Sequence, residues 1–560
     1  MKRLGFTLGL LLLSLIVVAQ ELPKAVEKVK KAVFSLVTYK DNQLLASGNG
    51  FFISEEGIGV ADYTLFKGAN RAVVVQDGKE YPIVEILGAN EMYDVVKFAV
   101  QKGKKYTAIA PTKSRLKVGE RIYMLPYATQ KTSAGSTGVI HKIDSISQGA
   151  SYYELTMSSA EKDVNLPIVN ATGEVLAMLQ KGGKEQLSYA LGIDYVQALE
   201  ITPLSLHDVS LQKIQIEKAL PSTEEQALVY LYLASSQMDR THYEEVLNKF
   251  LVRYPQSTEG YIRRANFYLY NTPTPLWEKA EQSLNDALRV SSEKSDVYYQ
   301  WAQMIYNYSL RTPAGTEVPA QWQIAEAKNL IEKAIGMKEN AIYYQLKGDI
   351  YFAEEDYTTA TTAYEKIIKL QPSPIAYYAL ARSKELSGAA PVAEVLALMD
   401  STLAQYNKPY PVEAATYLYE RGRIKHDAAM YREAVMDYNL FQEITGEHVT
   451  AQFYRVRAQA EMQCRMYAQA LEDMKKATDM APQEVELWIE KAGMHLRFNQ
   501  REEAKKDLTR ALSIGEQPVA QRMLGYILVE GNEKEKGLSL LKRAAEQGDT
   551  VATELLEKYK

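Results

Sequence analysis

Residues 48–69 read GNGFFISEEGIGVADYTLFKGA. Gly48 and Gly50 frame an apolar run, Phe51, Phe52 and Ile53. Ser54, Glu55, Glu56 and Gly57 then supply turn chemistry, and a second β-prone run begins at Ile58. The stretch predicts a strand, a turn at Gly57 and a second strand, with Phe51, Phe52, Ile53 and Val60 available for a core.

The same grammar continues on both sides. From residue 24 to 202 the chain is a series of short β-prone runs, among them AVFSLVTY, RAVVVQ, VVKFAV, RIYMLPY, YYELTM and GEVLAMLQ, punctuated by Gly, Asn, Asp and Ser. Runs of that length and spacing predict an all-β barrel or sandwich. Residues 203–222 read as a connector, partly helical. From residue 223 to 560 apolar residues recur at helical spacing instead.

That helical region repeats with a period of about 34 residues. With Ala341 as the first position of one copy, Gly348, Tyr351, Ala360, Tyr364 and Pro372 fall on its punctuating places. Copies starting at Ala415, Ala451 and Val485 put Gly422, Ala458 and Ala492 in phase with Gly348. Small residues there let two antiparallel helices cross closely, and the proline ends the second helix. This resembles the tetratricopeptide repeat (TPR), with about nine copies, the last closer to the related SEL1-like repeat. A single copy cannot bury its own apolar face, so the copies share stability as an all-α solenoid.

The bulk numbers set limits. The chain has 560 residues, 46% hydrophobic and 24% charged, with a formal net charge of −5. It is long enough for several domains, too apolar for disorder, and has no broad cationic footprint for nucleic acid. Residues 1–19, MKR followed by an apolar run ending at Ala19, read as a secretory signal peptide cleaved after Ala19. The run is shorter than the roughly 20 residues that span a bilayer. No transmembrane segment is expected after cleavage. Cys464 is the only cysteine, so no intrachain disulfide forms. An exported protein of this size without disulfides points to the periplasm or cell envelope of a Gram-negative bacterium.

Three segments of the β region, in order, resemble the trypsin-like serine peptidases in their compact bacterial HtrA-like form. They are GNGFFISEEGIGVADYTLFKGA, EMYDVVKFAV at 91–100 and DVNLPIVNATGEVLAM at 163–178. LSYALGIDYVQAL, at 187–199, looks like the family's closing strand and helix. The resemblance implies two antiparallel β-barrels with a cleft between them. It places the general-base histidine on Thr64, the orienting aspartate on Asp94, the nucleophilic serine on Val164 and the oxyanion-hole glycine on Lys162. A threonine is no general base near neutral pH, and valine has no nucleophilic atom. Losing one triad member already costs orders of magnitude in rate. His141, the only histidine of the β region, reads as a surface strand residue. Ser158, Ser159 and Lys162 carry no dyad signature, and neither metal nor cofactor motifs are present.

In TPR proteins the first helix of each repeat lines a concave groove that holds peptides or protein partners. The groove-facing positions here carry Gln345, Asp349, Arg382, Tyr419, Arg423, His426, Arg455, Gln459 and Arg497. Several arginines on one face suit an acidic segment or a carboxylate. The sequence therefore predicts a multidomain chain: an inactive trypsin-like double barrel at 24–202, then a TPR solenoid at 223–560. The function it predicts is an exported scaffold for protein–protein interaction, with a peptide held in the inactive cleft as a further possibility. The alternative is an endopeptidase with a displaced or partner-supplied catalytic site.

Overall fold

A computed structural model of the chain describes residues 22–559, apart from 102, 104, 115, 127–135, 184, 185 and 314. The expected signal segment, 1–19, lies outside the described residues. The chain divides into two compact units, Met1–Ser292 and Glu293–Lys560.

The first unit opens with twelve described strands: β1 (Val33–Lys40), β2 (Gln43–Phe52), β3 (Ile58–Ala61), β4 (Arg71–Gln76), β5 (Lys79–Asn90), β6 (Val95–Val100), β7 (Arg121–Met124), β8 (Thr137–Ser145), β9 (Ser151–Thr156), β10 (Pro167–Val169), β11 (Val175–Leu179) and β12 (Ser188–Gly192). They form two closed barrels, ordered β1-β2-β3-β6-β5-β4 and β10-β11-β12-β9-β8-β7. Read from β7, the second barrel repeats the strand order of the first. Every ladder between the strands is antiparallel, and the β1–β4 and β7–β10 pairs complete the two closures. This is the two-barrel architecture that the sequence motifs imply.

The opening stretch is β2, a turn and β3. Gly57 has φ +90°, a backbone conformation that costs a residue with a Cβ. Successive strand residues face opposite ways, and the chain uses both faces. Phe52 packs 4.5 Å from the Phe34 ring inside the first barrel. Phe51 and Val60, cross-strand partners, join the core cluster of the second barrel. The expected core residues Phe51, Phe52 and Val60 are fully buried, while Ile53 is half-buried.

The connector is stitched to the first barrel by backbone bonds. Ile86 of β5 donates to Glu217 (2.8 Å) and accepts from Ala219 (2.9 Å), and Lys249 adds ion pairs to Glu85 and Glu217 at 2.8 and 2.6 Å. Two short helical turns, Pro203–His207 and Val209–Gln212, precede this bridge. Two helix pairs close the unit, Glu224–Gln237 with Arg240–Arg253 and Thr258–Tyr270 with Trp277–Val290.

The second unit is helical. Seven helix pairs are described in it, from Lys294–Arg311 with Ile324–Met337 to Pro518–Glu530 with Lys534–Glu546, followed by Thr550–Tyr559. The small-residue phase has its packing reason. A Cβ at Gly422 would lie 2.8 Å from the Tyr438 ring of the second helix, and one at Gly348 would collide with the Tyr364 ring. The tyrosine hydroxyls do not all reach solvent: that of Tyr438 is buried without a partner. Cys464 caps the helix Ala451–Gln463, half-buried.

Three repeats add an ion pair on a buried aspartate that the apolar periodicity does not announce. Arg421, Arg457 and Lys491 on first helices meet Asp437, Asp473 and Asp507 on second helices, each pair 16 residues apart. The Arg457–Asp473 pair is bidentate, at 2.6 and 2.9 Å, and both residues are buried.

Candidate functional site

The residues that the resemblance places in a cleft come from the end of β3 and the start of β6 in the first barrel and from the loop before β10 in the second. Thr64 sits in the short helix Tyr63–Phe66 that follows β3. Asp94 immediately precedes β6 and has φ +47°. The structure brings these two together: the Thr64 N–H and hydroxyl both donate to Asp94 Oδ1, at 2.7 and 2.9 Å.

Val164, on the second-barrel side, is half-buried at the end of the turn Glu161–Asp163. Its N–H donates to the Glu161 carbonyl at 3.4 Å. The following N–H groups, of Asn165 and Leu166, donate to Leu179 (3.0 Å) and Asp163 (3.1 Å). An oxyanion hole needs N–H groups aimed at the reacting oxygen, and these three are turned onto carbonyls of the chain. Lys162 is exposed, and its carbonyl accepts from Asn49 Nδ2 of β2 at 3.0 Å, tying the turn to the first barrel.

Nothing in the sequence pattern singles out Asp62 or Asn165. Asp62, two residues before Thr64, lies beside the Asn165 side chain. Burial and the nearby Asp94 charge push the Asp62 carboxyl up to about 7 against the opposing effects of Asn165 and Lys181. Asp62 Oδ1 and Asn165 Oδ1 are both buried without a hydrogen-bond partner. The available signal was an acidic residue at the end of an apolar strand, where the chain enters a cleft.

His141 is exposed on β8 and lies 3.5 Å from Glu154 of the neighbouring strand. The Ser159 hydroxyl is 2.8 Å from that of Ser188. Neither contact is directed at Thr64 or Val164. Among the described residues no group of three or more His, Cys, Asp or Glu side chains could hold a metal ion.

The groove positions of the second unit fall into three groups. Gln345 and Asp349 lie together: Asp349 Oδ1 accepts from Gln345 (2.7 Å) and from the Tyr364 hydroxyl (2.9 Å), while burial raises its pKa. With Arg382, Ile375, Tyr378 and Tyr417 they line a cavity of about 520 Å³, a size typical of ligand pockets.

Three of the four arginines are engaged by the chain's own carboxylates. Arg423 pairs with Glu385, Glu420 and Asp427 at 2.8, 3.0 and 2.9 Å. Arg382 bonds Glu385, and Arg455 and Gln459 both bond Glu490. Arg497 is exposed beside Glu490, Met462, Met494 and Met523 in a second cavity. Tyr419 packs between repeats against Tyr438, Phe441 and Phe453, and His426 stands edge-on to Tyr431.

Comparison with known proteins adds two observations. Residues 341–374 match the family model described as tetratricopeptide repeat, the copy in which Gly348 meets Tyr364. A solved structure described as "Crystal structure of Rv3671c protease, inactive form" is similar over 32% of this chain and 91% of its own, at 16% identity and a TM-score of 0.27. No curated protein matches the chain.

Proposed function

We propose that this chain is an exported scaffold for protein–protein interaction, in which a peptidase-like double barrel performs no hydrolysis and the helical repeats hold a protein or peptide partner. The observation that carries the first part is the Thr64–Asp94 pair. The side chain standing where the resemblance requires a base is a hydroxyl that donates to the acid beside it. The Val164 N–H, engaged by Glu161, supports the same reading.

The second part rests on repeats of a kind that generally mediates protein–protein contacts. The cavity around Gln345, Asp349 and Arg382 is larger than the one beside Arg497, about 520 against 310 Å³. Its arginine is already paired, so the partner is recognised there through aromatic and apolar contacts of Tyr378, Tyr417 and the exposed Ile375, with polar groups setting orientation. Export to the periplasm or envelope rests on the N-terminal sequence.

Crosslinking mass spectrometry in the intact cell envelope tests this. The expected result is a partner protein crosslinked near residues 345–417, lost in an Ile375→Asp variant that melts like the parent chain. Crosslinks confined to the chain itself would contradict the scaffold reading.

A further inference from the structure

A third cavity, of about 450 Å³, lies in the first unit against the outer face of the first barrel. None of Asp62, Thr64, Asp94 or Val164 lines it. Its floor is three adjacent strands, β3, β6 and β5. Phe98 of β6 points into the barrel and is fully buried, so its neighbour Lys97 points outward. Ile58 and Leu87 flank that lysine from the neighbouring strands. Pro111, Ile201 and Leu220 complete an apolar wall, with Arg253 of the helix Arg240–Arg253 at the rim.

Lys97 is the unusual member. Its ammonium has three donors, and its one hydrogen bond among the described residues goes to the Gln197 carbonyl, at 3.0 Å. Burial depresses its pKa, while Glu200 acts to hold the charge. Glu200 accepts from Ser222 (3.2 Å), and Arg253 donates from Nη1 to the Leu220 carbonyl (3.1 Å). The lining therefore carries two cations against one carboxylate, with unengaged donors on a lysine set in an apolar surface.

We propose that this cavity binds an aliphatic carboxylate, its head on Lys97 and its chain along Ile58, Leu87 and Leu220. A carboxylate supplies a charged acceptor for the ammonium donors that Gln197 leaves open, and an alkyl chain suits the apolar wall. The volume lies within the roughly 300–1,000 Å³ of ligand cavities.

Fluorescence titration of the full chain with dansyl-undecanoic acid tests this, with the methyl ester of the same probe as the control lacking charge. Saturable binding of the acid, with the ester at least about tenfold weaker, is expected, because a lost charge-assisted hydrogen bond is worth that much. Lys97→Met should weaken the acid to the level of the ester. Leu87→Trp, which fills the cavity, should abolish both. Thermal melts of each variant report whether it folds. Absence of saturable binding to the parent chain, equal binding of acid and ester, or folded Lys97→Met and Leu87→Trp variants that bind like the parent would each overturn the assignment.

Discussion

Thr64 donates both its backbone N–H and its hydroxyl to a single oxygen, Oδ1 of Asp94. One carboxylate thus fastens the short helix after β3 to the entry of β6. A hydroxyl in that place can only reinforce the acid's role as an acceptor; it has no basicity to lend to a nucleophile. Asp94→Ala removes both bonds, whereas Thr64→Val removes one. The Thr64 amide should exchange hydrogen markedly faster in Asp94→Ala than in Thr64→Val. Each lost bond costs about 1 kcal/mol of local stability, and equal exchange in the two variants would contradict the two-bond description.

Asp62 makes the cleft sensitive to pH. Its folded pKa of about 7 stands above the ordinary 3.8, so the folded chain keeps a proton that the unfolded chain releases. Its stabilising contribution is full below about pH 4, falls as pH rises and is gone above about 7. Asp62→Asn removes this dependence. The difference in unfolding midpoint between parent and variant should change across that window and stay flat above it. Parallel curves from pH 4.5 to 8 would show that Asp62 carries no bound proton.

Gly422 and Gly336 offer a paired test of the repeat packing. A Cβ at Gly422 meets the buried Tyr438 ring at 2.8 Å, whereas one at Gly336, inside the helix Ile324–Met337, meets nothing within 4 Å. Gly422→Ala should therefore destabilise by about 1–3 kcal/mol through overpacking. Gly336→Ala should stabilise by roughly 0.5–1 kcal/mol through helix propensity. Calorimetric melting of the two variants checks the opposite signs.

The Gly422–Tyr438 contact was legible in the sequence because small and aromatic residues recur there in a fixed phase. Phe51, Phe52 and Val60 were legible because strand alternation needs only local pattern. The ion pairs on buried aspartates were not, since Arg457 and Asp473 look like any two charges until two helices cross. The partners of the groove arginines were out of reach for a related reason. Helical phase places Arg423 and Arg455 on a face but says nothing of Glu385 and Glu490, which reach them from other helices. The Asp62–Asn165 contact joins residues of different barrels, beyond the reach of any local pattern.

Arg457 and Asp473 should behave as one unit. Arg457→Met leaves Asp473 buried and uncompensated, beside Glu461, whose carboxyl burial and Asp473 already push up to about 8. A loss of about 3–5 kcal/mol is expected. The double variant Arg457→Met, Asp473→Leu should recover most of it, because an apolar pair needs no compensation. A double variant as unstable as the single one would assign the cost to lost shape rather than to lost charge balance.

The central claim is that the double barrel holds its shape without peptide hydrolysis, and the direct measurement is reaction of the purified full chain with a fluorophosphonate probe alongside casein turnover. No covalent label and turnover equal to buffer are expected, for the parent chain and for Thr64→Ala alike. A stoichiometric label that persists through stringent purification and maps to a serine of the chain, Ser158 or Ser159 above all, would contradict it.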